Sequence, residues 1–111
     1  MNRPWRLTRL AERSLGEIAA WTFARFGPRQ AAAYEADLIE CCDGIAAGTA
    51  VGRDCSLLVG GAGASDLRYV RAGMHFVVYL ERESDVVVID VLHARSDLPR
   101  RLAALAAARR G

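Results

Sequence analysis

The sequence predicts an α+β fold: an N-terminal strand, an αα-hairpin, a three-stranded antiparallel meander completing a small sheet, and a C-terminal helix. Three observations carry this. Leu67–Leu102 holds apolar, β-branched runs, Phe76–Leu80 and Val86–Leu92, bounded by Gly73 and by the charged stretch Glu81–Asp85, which are strand and turn signals. Upstream, two long segments repeat apolar residues at helical spacing on either side of Phe26-Gly27-Pro28. After Pro99, Leu98, Leu102 and Leu105 form one stripe of a last amphipathic helix.

The elements follow in order. Trp5–Leu7 is a short apolar strand before Thr8, whose hydroxyl suits an N-cap, and Glu12 favours the positive end of a helix. That helix should run from about Arg9 to Arg25, with Ala11, Leu15, Ile18 and Ala19 on one face and Trp21, Phe23 and Phe26 at its far end. Gly27 suits a left-handed C-cap, and Pro28 opens the next helix where its missing amide costs nothing. The second helix repeats Ala31, Tyr34, Leu38, Cys41 or Cys42, and Ile45, and ends at Gly48. Thr49–Asp66, with Gly60-Gly61-Ala62-Gly63, reads as a flexible loop, because no Gly-Lys-Ser/Thr ending supports a phosphate cradle. In the meander, Leu67–Arg71 alternates, whereas Met74–Leu80 and Val86–Leu92 are apolar on both faces. The helical hairpin can cover one face only; the C-terminal helix, a second copy or another protein must cover the other.

Composition narrows the function. A chain of 111 residues with 52% hydrophobic content is expected to form one domain with a packed core. No apolar run reaches the ~20 residues of a membrane span, so the expectation is a cytoplasmic protein without membrane contact. All 15 basic residues are arginine, so no lysine can serve as acid or base. A net charge of +2 is small for a nucleic-acid binder. Cys41, Cys42 and Cys55 lack metal-ligand spacing and read as buried reduced thiols, so neither metal nor cofactor is expected.

Few residues offer chemistry. His93 ends the last strand, where an imidazole could titrate near neutrality, and Arg95 and Asp97 beyond it could pair. The plainer alternative is that all three only shape the strand-to-helix turn, since no nucleophile stands beside them. Arg53, Arg68 and Arg71 suit either a basic edge that recognises phosphate or carboxylate, or ordinary solvated charge on an edge strand. His75, between Met74 and Phe76, reads as a sheet-face residue, and Asp90 in an apolar strand needs a partner, with Arg68 or Arg71 as candidates.

Along the chain, Trp5-Arg6-Leu7-Thr8, Ala11-Glu12, Trp21-Thr22, Phe26-Gly27, Gln30-Ala31, Tyr34, Ile45-Ala46, Gly52-Arg53, Arg71-Ala72-Gly73-Met74-His75 and Val91–Pro99 stand in an order that resembles the ParE branch of the ParE/RelE toxin superfamily. The resemblance covers nearly the whole chain; the Gly-rich Val59–Ser65 stretch departs from it by its length. It implies a toxin of a type II toxin–antitoxin module, held by a ParD-type antitoxin that alone contacts operator DNA. It implies inhibition of DNA gyrase, and so of replication, without covalent chemistry. The two-sided apolar strands and the last helix suggest antitoxin contacts at Phe76, Val78, Leu80, Leu98, Leu102 and Leu105, while Arg53, Arg68, Arg71, His93 and Arg95 are candidates for the target. The RelE branch implies an alternative, a ribosome-dependent mRNA endoribonuclease that would use His93, Arg71 and Arg95. A third is an inactive toxin kept as an antitoxin-binding module.

Overall fold

The computed structural model describes residues 3–55 and 67–110. The elements are β1 (Trp5–Leu7), α1 (Arg9–Phe26), α2 (Pro28–Ala47), β2 (Arg53–Asp54), β3 (Arg68–Ala72), β4 (His75–Glu81), β5 (Val86–His93) and α3 (Leu98–Arg110). The strands form one five-stranded mixed sheet in the order β1-β5-β4-β3-β2. β1 lies parallel to β5, with Trp5 opposite Val86, and the other neighbours are antiparallel. The α+β order read from the sequence is the order observed. The two-residue β2 was not anticipated; it extends the meander by pairing Arg53 with Tyr69 and Asp54 with Arg68. The expected loop around Gly60-Gly61-Ala62-Gly63 lies outside the described residues.

Local chemistry sets the helix ends. Thr8 holds extended backbone angles and its hydroxyl accepts from Ala11 N at 3.1 Å, the N-cap geometry. The same hydroxyl donates to Ile89 O at 2.7 Å, which fastens the start of α1 to β5. Gly27 corrects an expectation. It ends α1 and begins α2 at φ 90°, ψ 176°, not in the left-handed helical well. That extended region at positive φ is open essentially to glycine alone, and it allows two helices to meet at one residue. Gly48 does adopt the left-handed conformation at the end of α2, with φ 83° and ψ 7°. Pro99, expected just before α3, lies in its first turn, where a missing N–H removes no hydrogen bond.

Each sheet face has its own core. Under the hairpin, Ala11, Leu38, Cys42 and Ile45 pack on Val77, Tyr79, Val86, Val88 and Val91. On the other face, Cys55, Leu67, Val78 and Leu92 pack on Leu102, Leu105 and Ala106 of α3. The C-terminal helix is therefore the cover that the second apolar face required. At about 25 cal/mol per Å² of apolar area removed from water, burial of each such Val or Leu contributes roughly 1.5–3 kcal/mol.

A β-bulge explains why Val86–Leu92 fails to alternate. Val78 pairs with Asp90 and Tyr79 with Val88, so Ile89 is an extra residue in β5. Before it, Val86 and Val88 face the hairpin; after it, Val91 does, and Leu92 faces α3. The bulge also turns Asp90 toward α1, where its carboxylate accepts from Ser14 Oγ at 2.5 Å and from Val91 N at 2.8 Å. The partner expected at Arg68 or Arg71 is thus Ser14 instead. The charged turn after β4 is closed by Arg82, which donates to both Asp85 oxygens at 2.5 and 2.6 Å.

Candidate functional site

The polar side chains converge at one end of the sheet, where the β3–β4 turn meets the end of β5. Gly73 and Met74 form a two-residue hairpin loop with Gly73 at φ 60°, the pattern of a turn that needs glycine at its first central position. A Cβ at Gly73 would stand 2.8 Å from the Tyr34 ring. Glycine is therefore required twice, for the turn and for the approach of α2. Ala94 N donates to Met74 O at 2.8 Å and ties the end of β5 to this turn.

Three rings run outward from the helix. Tyr34 of α2 bonds His75 Nδ1 at 2.6 Å, and its ring lies 5.5 Å from that of His75. His75 stands opposite His93, with ring centroids 5.1 Å apart at 82°. The Tyr34 hydroxyl also accepts from Met74 N at 3.1 Å and lies 3.2 Å from Ala72 O. It has one proton to give, to Ala72 O or to His75, so the tautomer of His75 follows from that choice. Burial, and secondarily the neighbouring His93, lower the His75 pKa to about 4. At neutral pH His75 is an uncharged, buried bridge.

His93 is exposed, and its Nδ1 accepts from Arg95 N at 2.9 Å. That bond uses the Nδ1 lone pair and leaves Nε2 as the ring's remaining polar atom. Ser96 Oγ donates to His93 O at 2.6 Å. The expected Arg95–Asp97 pair does not form. Asp97 belongs to the start of α3, where its carbonyl accepts from Arg101 N at 3.0 Å.

The arginines do not make one patch. Residues directly opposite in antiparallel strands share a face. Arg53 therefore shares the α3 face with Tyr69, and Arg71 shares it with Phe76, while Arg68 shares the hairpin face with Tyr79. All three are exposed. Arg71 lies 5.6 Å over the Phe76 ring, and its Nε donates to Gly73 O at 2.9 Å. It thus lies on the face opposite to His75 and His93, although it is near them along the sheet.

The six positions expected to meet a partner are mostly occupied from within. Val78 and Leu102 are fully buried, Phe76 and Leu105 are 9% and 8% exposed, and Leu80 and Leu98 are half-buried. Val78, Leu102 and Leu105 form the contact between sheet and α3, so a partner could use them only by displacing that helix. The cysteines are free, as expected, and burial pushes the Cys42 and Cys55 thiols up to about 12, which leaves them unreactive. Among the described residues no group of three metal-ligating side chains occurs. Sequence reading missed Tyr34 and the bridging role of His75. A tyrosine within an apolar helical stripe carries a hydroxyl that must find a partner once buried, and that was the available signal.

Residues 5–98 match the family described as ParE toxin of type II toxin–antitoxin system, parDE. The chain belongs to the ParE toxin family. The toxin ParE1 of Mycobacterium tuberculosis, in two strains, is 33% identical over 103 residues, covering 92% of this chain and all of the relative. A chain of the chromosomal ParDE system of P. aeruginosa shares the fold at a TM-score of 0.67 with 14% identity, covering 84% of this chain and 97% of that one. This ParE-family toxin therefore keeps its fold across wide sequence divergence. Among its described residues no helix is long and apolar enough to cross a membrane.

Proposed function

We propose that this toxin is held inactive by a ParD-type antitoxin and, once free in the cytoplasm, inhibits DNA gyrase and so replication, by binding and without covalent chemistry of its own. The observation that carries the reading is the family match across residues 5–98, which spans both helices of the hairpin and all five strands. The polar end of the sheet supports it. His75 is buried and neutral beside Tyr34, Arg71 lies on the opposite face, and among the described residues no side-chain hydroxyl or carboxylate bonds the His93 ring. Such an end presents exposed Arg and His side chains for recognition. Contact with operator DNA passes through the antitoxin.

One observation favours a second reading, the RelE-like ribosome-dependent endoribonuclease: His93 is exposed beside Arg95 at the end of β5. The two are separated by purified toxin, with and without the product of its neighbouring gene, in gyrase supercoiling and cleavage assays. Inhibition or trapped cleavage relieved by the partner is the expected result. An unaffected gyrase together with mRNA cuts on programmed ribosomes, abolished by His93→Ala, would replace the first reading by the second.

A further inference from the structure

A slot of about 290 Å³ lies between α1, α2 and the sheet. Leu15 and Ile18 of α1, Leu38 and Cys42 of α2, and Val77 and Val91 of the sheet form its walls and floor. It reaches solvent between the helices, where Gly16, Glu35 and Ile39 are lining residues that are also exposed. A Cβ at Gly16 would meet nothing within 4 Å, so a larger side chain has room to be placed at this mouth.

The two hydroxyls inside the slot each have a hydrogen-bond partner. Thr22 Oγ1 donates to Ile18 O at 2.7 Å, the Tyr34 hydroxyl is held by Met74, Ala72 and His75, and among the described residues no buried side-chain polar atom lacks a partner. A water inside needs two to four polar partners and would find deep in the slot little beyond the acceptor lone pairs of Thr22 Oγ1, whereas apolar cavities of roughly 150 Å³ hold a benzene molecule. Among the described residues no arginine or histidine lines the slot, and Glu35 is acidic at its mouth. An anionic head group would meet a like charge and no cation.

We propose that this slot is a binding site for a small uncharged molecule with an apolar ring or short alkyl chain, entering beside Gly16. The site borders the histidine end through Tyr34 but takes neither histidine as a lining residue, and the proposal requires nothing of the target or the antitoxin.

The test is a titration of the full-length toxin with benzene, 1-octanol and octanoate, read on the methyl NMR signals of Leu15, Ile18, Leu38, Val77 and Val91. Saturable shifts confined to these methyls are expected from benzene and octanol, with octanoate at least tenfold weaker. Gly16→Leu, a change that helix propensity tolerates, should weaken octanol at least tenfold, and Ala19→Phe should abolish its binding. If Ala19→Phe fails to fold, Gly16→Leu alone decides. Non-saturating shifts, equal affinity for octanoate, or unchanged affinity in Gly16→Leu each overturn the proposal. Methyl shifts caused by the antitoxin but by none of the three probes would overturn it in favour of a protein side chain as occupant.

Discussion

The two faces of the sheet are covered by different means. The hairpin is fastened by polar bonds at separated points: Thr8 to Ile89, Ser14 to Asp90, Tyr34 to the β3–β4 turn and Trp5 Nε1 to Asp43. Between these ties it leaves an apolar slot. The opposite face carries the 13-residue α3, seated through Leu102, Leu105 and Ala106. The packing of α3 on the strands is apolar at these three positions. Directional bonds fix where a helix sits even when its packing is incomplete, whereas a helix held by apolar side chains depends on filling its space.

Breaking the apolar side of this comparison should have the largest effect. Leu102 is fully buried at the centre of the α3 contact. Leu102→Ala should cost ~2–5 kcal/mol in urea unfolding and speed amide exchange in α3 before the hairpin loosens. Uniform acceleration across both covers would show that the two faces unfold as one unit.

The polar side should break with acid. His75 has its ordinary value of 6.5 lowered to about 4 by burial first and by His93 second. The unfolded chain therefore takes up this proton more readily than the folded one. The stability tied to neutral His75 is complete above pH 6.5 and is lost as pH falls toward 4, by up to roughly 3 kcal/mol. His75→Phe should flatten that decline; an unchanged pH profile in the variant would mean that the acid loss of stability arises at groups other than His75.

Asp90 should sharpen the comparison with the smallest effect. Burial raises its pKa against the lowering influence of Ser14 and Val91. The folded state therefore holds the proton more tightly, and ionisation as pH rises through the carboxylate range costs stability. Asp90→Asn keeps an acceptor for Ser14 and should leave neutral-pH stability unchanged or higher by up to about 1 kcal/mol, measured as the urea midpoint. A loss would show that the charge itself holds α1 to β5.

The parts legible in sequence were those encoded by local signals. Thr8 before an amphipathic run, Gly27-Pro28 between two such runs, and β-branched strands on either side of Glu81–Asp85 each specify an element without reference to the rest of the chain. β2 was not legible, because a two-residue strand carries no periodicity and exists only through β3. The contacts of Asp90 were illegible for a related reason: strict alternation does not register one extra residue. At the histidine end, His93 and Arg95 were found by type and position, but the Tyr34–His75 bond spans 41 residues of sequence and depends on how α2 lies on the sheet. The arginines were read as one edge because sequence places them near each other, whereas register divides them between two faces.

The extra residue at Ile89 reaches further than the strand it bends. His93 lies four positions downstream, and its side chain faces the hairpin because the count of residues in β5 has been shifted by one. In an unshifted strand the same sequence would turn His93 toward α3 and leave His75 without its neighbouring ring. The chemical character of one end of this toxin is thus set by arithmetic at the middle of β5: deleting Ile89 would make Val88 and Asp90 consecutive, restore regular alternation and keep His93 opposite His75, whereas a strand that paired Ile89 with Val78 would lose that end.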